Sequence, residues 1–171
     1  MKALFKIFIT IIFTTYCTAN SEDYLYVLND KCINELYFVA EKHFRNSSIK
    51  VIKDPRGLIL RELFQDLDNQ FYSKIKNIEK FLAKIENPAI IEVHTGNFSE
   101  KSLSGLKKWE LSTMLANDIE AMITKPFGSI PQKRINSVGY GEFLPAKNTP
   151  NNGGKYLNRI DIIILCNISG E

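Results

Sequence analysis

The stretch that decides the fold is IIEVHTGN, residues 90–97, in which an apolar run leads into a polar end. A short apolar run between turn signals is typical of a strand in the middle of a sheet. Asn87 and Pro88 end the segment before it, because proline cannot continue a helical hydrogen-bond ladder. We therefore predict a central strand over Ala89–Thr95, followed by a long polar loop from Gly96 to Lys108.

Two amphipathic segments flank this strand, one over Phe71–Glu86 and one over Lys108–Thr124. In each segment apolar residues recur at three- and four-residue steps, as they do on the buried face of a helix. These residues are Ile75, Ile78, Leu82 and Ile85 in the first segment and Leu111, Leu115, Ile119 and Met122 in the second. Both segments are predicted to be helices that pack on the sheet.

Further strand-like segments lie on both sides of this helix–strand–helix unit. They are residues 49–53 and 58–64, which the turn-forming Asp54–Gly57 separates, then Ile135–Val138, and finally Arg159–Cys166 after a loop at residues 139–156. The first two segments predict a β-hairpin or a bent strand pair. Strands linked by helices favour parallel neighbours and right-handed crossovers. The order predicts an α/β sandwich with helices on one face of the sheet.

The N-terminus has the features of an export signal. Lys2 and Lys6 give it a positive start, residues 7–13 are apolar apart from one threonine, and Ala19 supplies a small residue at the cleavage position. The apolar run is shorter than the roughly 20 residues that span a bilayer. Two alternatives stay open, a membrane anchor that is retained and a lipoprotein with Cys17 as its lipidated residue.

The predicted domain organisation has three parts, a signal peptide over residues 1–19, an N-terminal helical extension over residues 20–48 and one domain over residues 49–171. The extension has Ile33, Leu36, Tyr37 and Ala40 on one helical face. Loss of residues 1–19, which contain two lysines and no acid, lowers the net charge from +3 to +1. A nearly neutral mature chain gives no reason to expect nucleic acid binding.

Cleavage of the signal would leave two cysteines, Cys32 and Cys166. An exported chain enters an oxidising compartment, where the two cysteines could form a disulfide between the N-terminal segment and the last strand. They could equally remain buried free thiols, and the sequence leaves both readings open.

Four motifs in this order resemble the OmpA-like domain, and most closely its MotB-type branch. They are Val93–Asn97 at the end of the central strand, Trp109–Ser112 near the start of the second helix, Gly139–Glu142, and Asn158–Ile163 in the last strand. The resemblance covers roughly residues 49–166. It implies an OmpA-like β-α-β-α-β-β sandwich with helices on one face of a mixed sheet. It also implies a periplasmic protein, with outer-membrane association left open, that binds peptidoglycan non-covalently.

The resemblance also implies where a ligand site should lie. Family members bind the diaminopimelate of the peptidoglycan stem peptide with an Asp after the central strand and an Arg early in the next helix. Matched by eye, the family Asp falls on Gly96 and the family Arg on Leu115. Both charges are missing together. A substitute site built from Thr95, Asn97, Asn158 and Arg159 is the remaining prediction for peptidoglycan binding.

Catalysis and cofactor binding are not expected from this sequence. His43 and His94 have no Cys, Asp or Glu at metal-ligand spacing, and no phosphate loop or nucleophile elbow is present. Two functional hypotheses follow. The first is an envelope protein that associates with peptidoglycan weakly or in an altered mode. The second is an interaction subunit that does not bind the wall and belongs to an envelope complex, such as the core of a type IVB (Dot/Icm-like) secretion system.

Overall fold

A computed structural model describes residues 30–96, 107–143 and 158–166. In chain order these residues form α1 (residues 30–44), β1 (Lys50–Asp54), β2 (Gly57–Leu63), α2 (Asn69–Leu82), β3 (Ala89–Thr95), α3 (Lys108–Ile123), β4 (Ile135–Gly141) and β5 (Asn158–Leu165). The predicted export segment, residues 1–19, lies outside the described residues. Within the described ranges, the helices are all too short or too polar to cross a membrane.

The five strands form one mixed sheet in the order β1-β2-β5-β3-β4. β1 and β2 form the predicted antiparallel hairpin, and β3 pairs in parallel with β4, to which α3 connects it. β5 lies between β2 and β3 and is antiparallel to both. This central position accounts for the apolar residues on both faces of β5. The predicted α/β sandwich with a mixed sheet is confirmed.

The hydrophobic core lies between one face of this sheet and the helices. Alternate residues of β5 (Ile160, Ile162 and Ile164) face it, as do the inner residues of α2 and α3. α1 belongs to the same core through Ile33, Leu36, Ala40 and Phe44, which are all buried. The predicted N-terminal helix therefore packs on its own domain rather than forming a separate core.

A disulfide joins Cys32 of α1 to Cys166, the residue after β5, with the sulfur atoms 2.07 Å apart. The two cysteines are separated by 134 positions. In the chain-entropy model a loop of this size stabilises the folded state by about 5 kcal/mol, and measured values are usually lower. The bridge fixes α1 to the central strand of the sheet.

Helix and strand ends differ most from the sequence predictions in α2 and β4, and elsewhere by about one residue. α2 begins two residues early because the Asp68 side chain accepts a hydrogen bond from the Phe71 amide at 2.8 Å, and it ends at Leu82 rather than Glu86. β4 continues to Gly141, so assigning residues 139–141 to a loop was wrong. A Cβ atom at Gly139 would lie 2.2 Å from the backbone nitrogen of Thr113. Glycine here allows β4 to lie against α3, and it does not mark the end of the strand.

Candidate functional site

The site suggested by the sequence motifs lies where the C-terminal ends of β3 and β4 meet the N-terminus of α3. The Thr95 hydroxyl donates to the carbonyl oxygen of Lys108 at 2.6 Å, and the Gly141 amide donates to Ser112 Oγ at 2.8 Å. Thr95 and Ser112 are fully buried. These two hydrogen bonds hold the ends of β3 and β4 against the N-terminal part of α3.

Gly141 brings β4 against Trp109. Its φ is +55°, in the left-handed region that glycine adopts without strain. A Cβ atom at this position would also lie 2.9 Å from the backbone nitrogen of Trp109. The next two residues, Glu142 and Phe143, are therefore placed beside the start of α3.

A cation and an anion meet at this point. The Lys108 ammonium donates to the Gly96 carbonyl oxygen at 3.2 Å and to Glu142 Oε2 at 2.8 Å. The Lys108 side chain is 25% exposed and that of Glu142 is 47% exposed. Trp109 and Phe143 are exposed by 47% and 72%. We call these five residues, Gly96, Lys108, Trp109, Glu142 and Phe143, the strand-end corner.

The strand-end corner combines a solvent-accessible ion pair with exposed aromatic rings. An ion pair of this exposure contributes about 0–1 kcal/mol to stability, since water competes for both charges. A ligand that carries its own carboxylate and ammonium could replace each partner at little cost. Aromatic rings beside such a pair offer apolar contact area for the rest of the ligand.

No protein-family model matches this sequence. Solved structures with a similar fold do exist. A putative MotB-like protein from Desulfovibrio vulgaris aligns with a TM-score of 0.64 at 18% identity, covering 82% of this chain and 97% of that one. The cell wall anchor of the T6SS from Pseudomonas aeruginosa aligns with a TM-score of 0.55 at 17% identity, covering 75% and 94%.

The periplasmic domain of Helicobacter pylori MotB, residues 78–256, is a third similar structure, with a TM-score of 0.54 at 17% identity over 67% of this chain and 80% of that one. The chain has the OmpA-like fold. This agrees with the resemblance in the sequence motifs. At these identities the likeness concerns the fold, so the function has to be argued from the residues.

The two positions that the match by eye assigns to the family charges, Gly96 and Leu115, differ in environment. Gly96 lies in the strand-end corner, where its carbonyl oxygen accepts from Lys108. Leu115 is only 4% exposed and belongs to the hydrophobic core with Ala116 and Ile119. The position expected to carry a guanidinium is therefore filled by a core side chain.

The structure keeps two residues of the predicted substitute site together and places Arg159 on the other face of the sheet. Thr95 and Asn158 are neighbours across β3 and β5, and the Asn158 carbonyl accepts from the Phe64 amide at 3.2 Å. Arg159 lies opposite His94, and its Nε donates to Asp161 Oδ2 at 3.0 Å. Because Asp161 alternates with the core isoleucines of β5, Arg159 lies on the sheet face away from the helices. Asn97 lies outside the described residues.

Sequence reasoning missed the role of Lys108 and Glu142. The sequence motifs place Glu142 after the glycines of β4 and Lys108 at the start of α3, and they do not pair the two residues. The two residues are 34 positions apart, and the close packing of α3 on β4 brings them together. The one signal for this contact in the sequence was the charged residue, Glu142, directly after Gly141.

The sheet face away from the helices carries a buried charged cluster. Arg61 makes two bonds to Asp161, at 2.6 and 2.8 Å, and Arg56 Nη1 donates to Glu92 Oε1 at 3.1 Å. Ligand atoms of Glu92, His94 and Asp161 lie within 4.8 Å of one another. The sequence analysis found no metal-ligand spacing around His94. This was wrong, because Glu92 lies on the same face of β3 as His94 and pairs directly with Asp161 of β5.

The arginines of this cluster disfavour a cation there. Three guanidinium groups, those of Arg56, Arg61 and Arg159, pair with Glu92, Asp161 and the adjacent Asp54, so both carboxylates of the cluster already have cationic partners. Burial raises the pKa of Glu92 despite its contact with Arg56. Burial alone would also raise the pKa of Asp161, but the hydrogen bonds and charges of Arg61 and Arg159 hold it below the usual value. The cluster is a structural network of ion pairs.

Proposed function

We propose that the protein is a periplasmic envelope protein that associates with peptidoglycan through the strand-end corner. The observation that carries this proposal is the exposed pair of Lys108 and Glu142, 2.8 Å apart, at the strand end where the family resemblance expects the ligand-binding acid. Similar folds in a MotB periplasmic domain and in a cell wall anchor support it.

The pair suits a zwitterionic ligand such as the diaminopimelate of a stem peptide. Lys108 would donate to the ligand carboxylate, and Glu142 would accept from the ligand ammonium. Relative to the family pattern, the acid comes from the end of β4 and the base from the first turn of α3. Trp109 and Phe143 would contact the remainder of the ligand. A lysine is a point charge without the fork of an arginine, so the binding should be weaker than that of a bidentate site.

Export to the periplasm is supported by the predicted signal over residues 1–19 and by the bridge between Cys32 and Cys166. Disulfides persist in the bacterial periplasm and are rare in the cytosol. The bridge also attaches α1 to the domain, so the two would form one folded unit in the periplasm.

The test is co-sedimentation of the purified protein with peptidoglycan sacculi, with and without free diaminopimelate. We expect Lys108→Ala and Glu142→Gln each to weaken binding by about tenfold or more, the usual effect of losing a charge-assisted hydrogen bond. Lys31→Ala is the matched control, because Lys31 forms an exposed ion pair with Glu35 on α1, in a different part of the fold. If both corner variants sediment like the control, the corner is not the binding site.

The second candidate function is an interaction subunit that does not bind the wall, as in a type IVB (Dot/Icm-like) secretion-system core. The observation that favours it is the burial of Leu115 in the core, which removes the place of the family arginine. Under this alternative the wild-type protein stays in the supernatant while an OmpA-like domain with the usual Asp and Arg sediments. Envelope proteins captured on the exposed Trp109 and Phe143 surface would then be sought.

A further inference from the structure

β1 lies at one edge of the sheet, and among the described residues it pairs with β2 alone. An edge strand presents backbone N–H and C=O groups on its outer side, and these can pair with another strand. A groove of about 390 Å³ runs along β1 and the end of α1. Its lining includes Glu41, Phe44 and Arg45 from the helix side and Lys50 and Ile52 from the strand.

We propose that this edge is an interface between two copies of the chain, in which the two β1 strands pair antiparallel about Ile52. The paired strands would join two five-stranded sheets into one continuous sheet. This inference rests on the edge and on its side chains, and it does not depend on peptidoglycan binding.

The sequence of β1, KVIKD, is complementary to itself in this register. Lys50 of each copy lies opposite Asp54 of the other, and the two Ile52 side chains face each other. Lys50, Ile52 and Asp54 share one face of the strand, because side chains alternate along it. Directly opposed residues of opposite charge stabilise a strand pair, and like charges destabilise it. The interface would thus have an apolar centre with an ion pair on each side.

Asp54 is able to make this contact. Its Oδ1 accepts from the Arg56 amide at 3.0 Å and from Arg56 Nε at 2.9 Å. Both bonds end on the same oxygen, which leaves Oδ2 to accept from Lys50 of the second copy.

Lysines on an edge strand normally oppose pairing, so Lys53 has to be accounted for. Its ammonium donates to Asn34 Oδ1 at 2.6 Å and lies 4.8 Å from the centre of the Tyr37 ring. Both partners belong to α1, so the charge of Lys53 is held over the helix and away from the strand edge.

Sedimentation velocity of the purified protein over a dilution series tests the proposal. We expect the wild type to reach about twice the mass of a single chain at the higher concentrations. Lys50→Asp should weaken self-association by about tenfold, because it places two like-charge pairs in the interface. The charge swap, Lys50→Asp with Asp54→Lys, should restore association. Lys84→Asp, an exposed site just after α2 with the same change of charge, is the control.

A cross-link tests the register without relying on weakened association. Ile52→Cys should give a disulfide-linked dimer on mild oxidation, since the two Cβ atoms would be about 4.5–5.5 Å apart. Lys53→Cys and the wild-type chain are the controls and should give little or none. A monomer at all concentrations, or a dimer that Lys50→Asp leaves unchanged, overturns the proposal. A monomer that binds an extended peptide along the same groove overturns it equally.

Discussion

Two acid–base pairs in this molecule have nearly the same geometry and opposite surroundings. Arg61 Nε lies 2.6 Å from Asp161 Oδ1, and the two side chains are 10% and 4% exposed. Lys108 Nζ lies 2.8 Å from Glu142 Oε2, and those side chains are 25% and 47% exposed. The first pair spans β2 and β5 in the middle of the sheet, and the second lies where β3, β4 and α3 meet.

The comparison shows that burial, and not distance, determines whether such a pair stabilises the fold or is available for binding. A buried pair has lost its water, so removal of one partner leaves a charge that nothing else solvates. An exposed pair exchanges its partner for water or for a ligand at little cost. The Arg61–Asp161 pair is therefore a part of the fold, whereas the Lys108–Glu142 pair is suited to binding.

The largest expected effect is that of Asp161→Ala. This change leaves Arg61 and Arg159 without their common carboxylate, and we expect a loss of about 3–5 kcal/mol in the free energy of unfolding. Urea denaturation of the variant beside the wild type measures it. Glu142→Ala is the control and should change stability by less than about 0.5 kcal/mol. Equal effects of the two changes would remove the contrast between the pairs.

The buried pair should also show itself in the pH dependence of stability. The folded-state pKa of Asp161 lies below its usual 3.8. Its stabilising effect is thus present above pH 3.8 and is lost as the pH falls through the lowered folded-state pKa. We expect the gap in unfolding free energy between wild type and Asp161→Asn to shrink below pH 3.8. A gap that stays constant down to acid unfolding would contradict this.

Glu92 should behave with the opposite sign. Burial raises its pKa above the usual 4.5, so the protonated form favours folding and stability falls as the pH rises through the raised value. Glu92→Gln removes this dependence and loses the ion pair with the half-exposed Arg56. We expect the stability of the variant relative to the wild type to increase from pH 4.5 upwards. Thermal unfolding at several pH values measures this. A relative stability that decreases would mean that folding lowers the pKa of Glu92.

The main elements of the fold could be predicted because the periodicities of this chain are regular. The four-residue steps in α2 and the apolar run of β3 each identify one element, and the hairpin turn at Asp54–Gly57 identifies another. The end of β4 could not be predicted in this way. Gly139 and Gly141 have the composition of a loop, and only the close packing of α3 explains them as strand residues.

The candidate site was predicted less well, because it depends on contacts between distant segments. The replacements at Gly96 and Leu115 were evident from the motifs, but the burial of Leu115 follows from how α3 lies on the sheet. The strand alternation of β5 already places Arg159 and the core residue Ile160 on opposite faces. The prediction that joined Arg159 with Thr95 overlooked this.

The smallest expected effect is the coupling between Lys108 and Glu142. A double-mutant cycle with Lys108→Ala and Glu142→Ala should give a coupling free energy below about 1 kcal/mol, and added salt should reduce it, because both charges are exposed. The same cycle on Arg61 and Asp161 should give a larger coupling that salt changes little. A strong, salt-independent coupling at Lys108 would mean that the pair fixes the start of α3 against β4. In that case the corner variants would lose wall binding through local unfolding, and binding would have to be compared at equal stability.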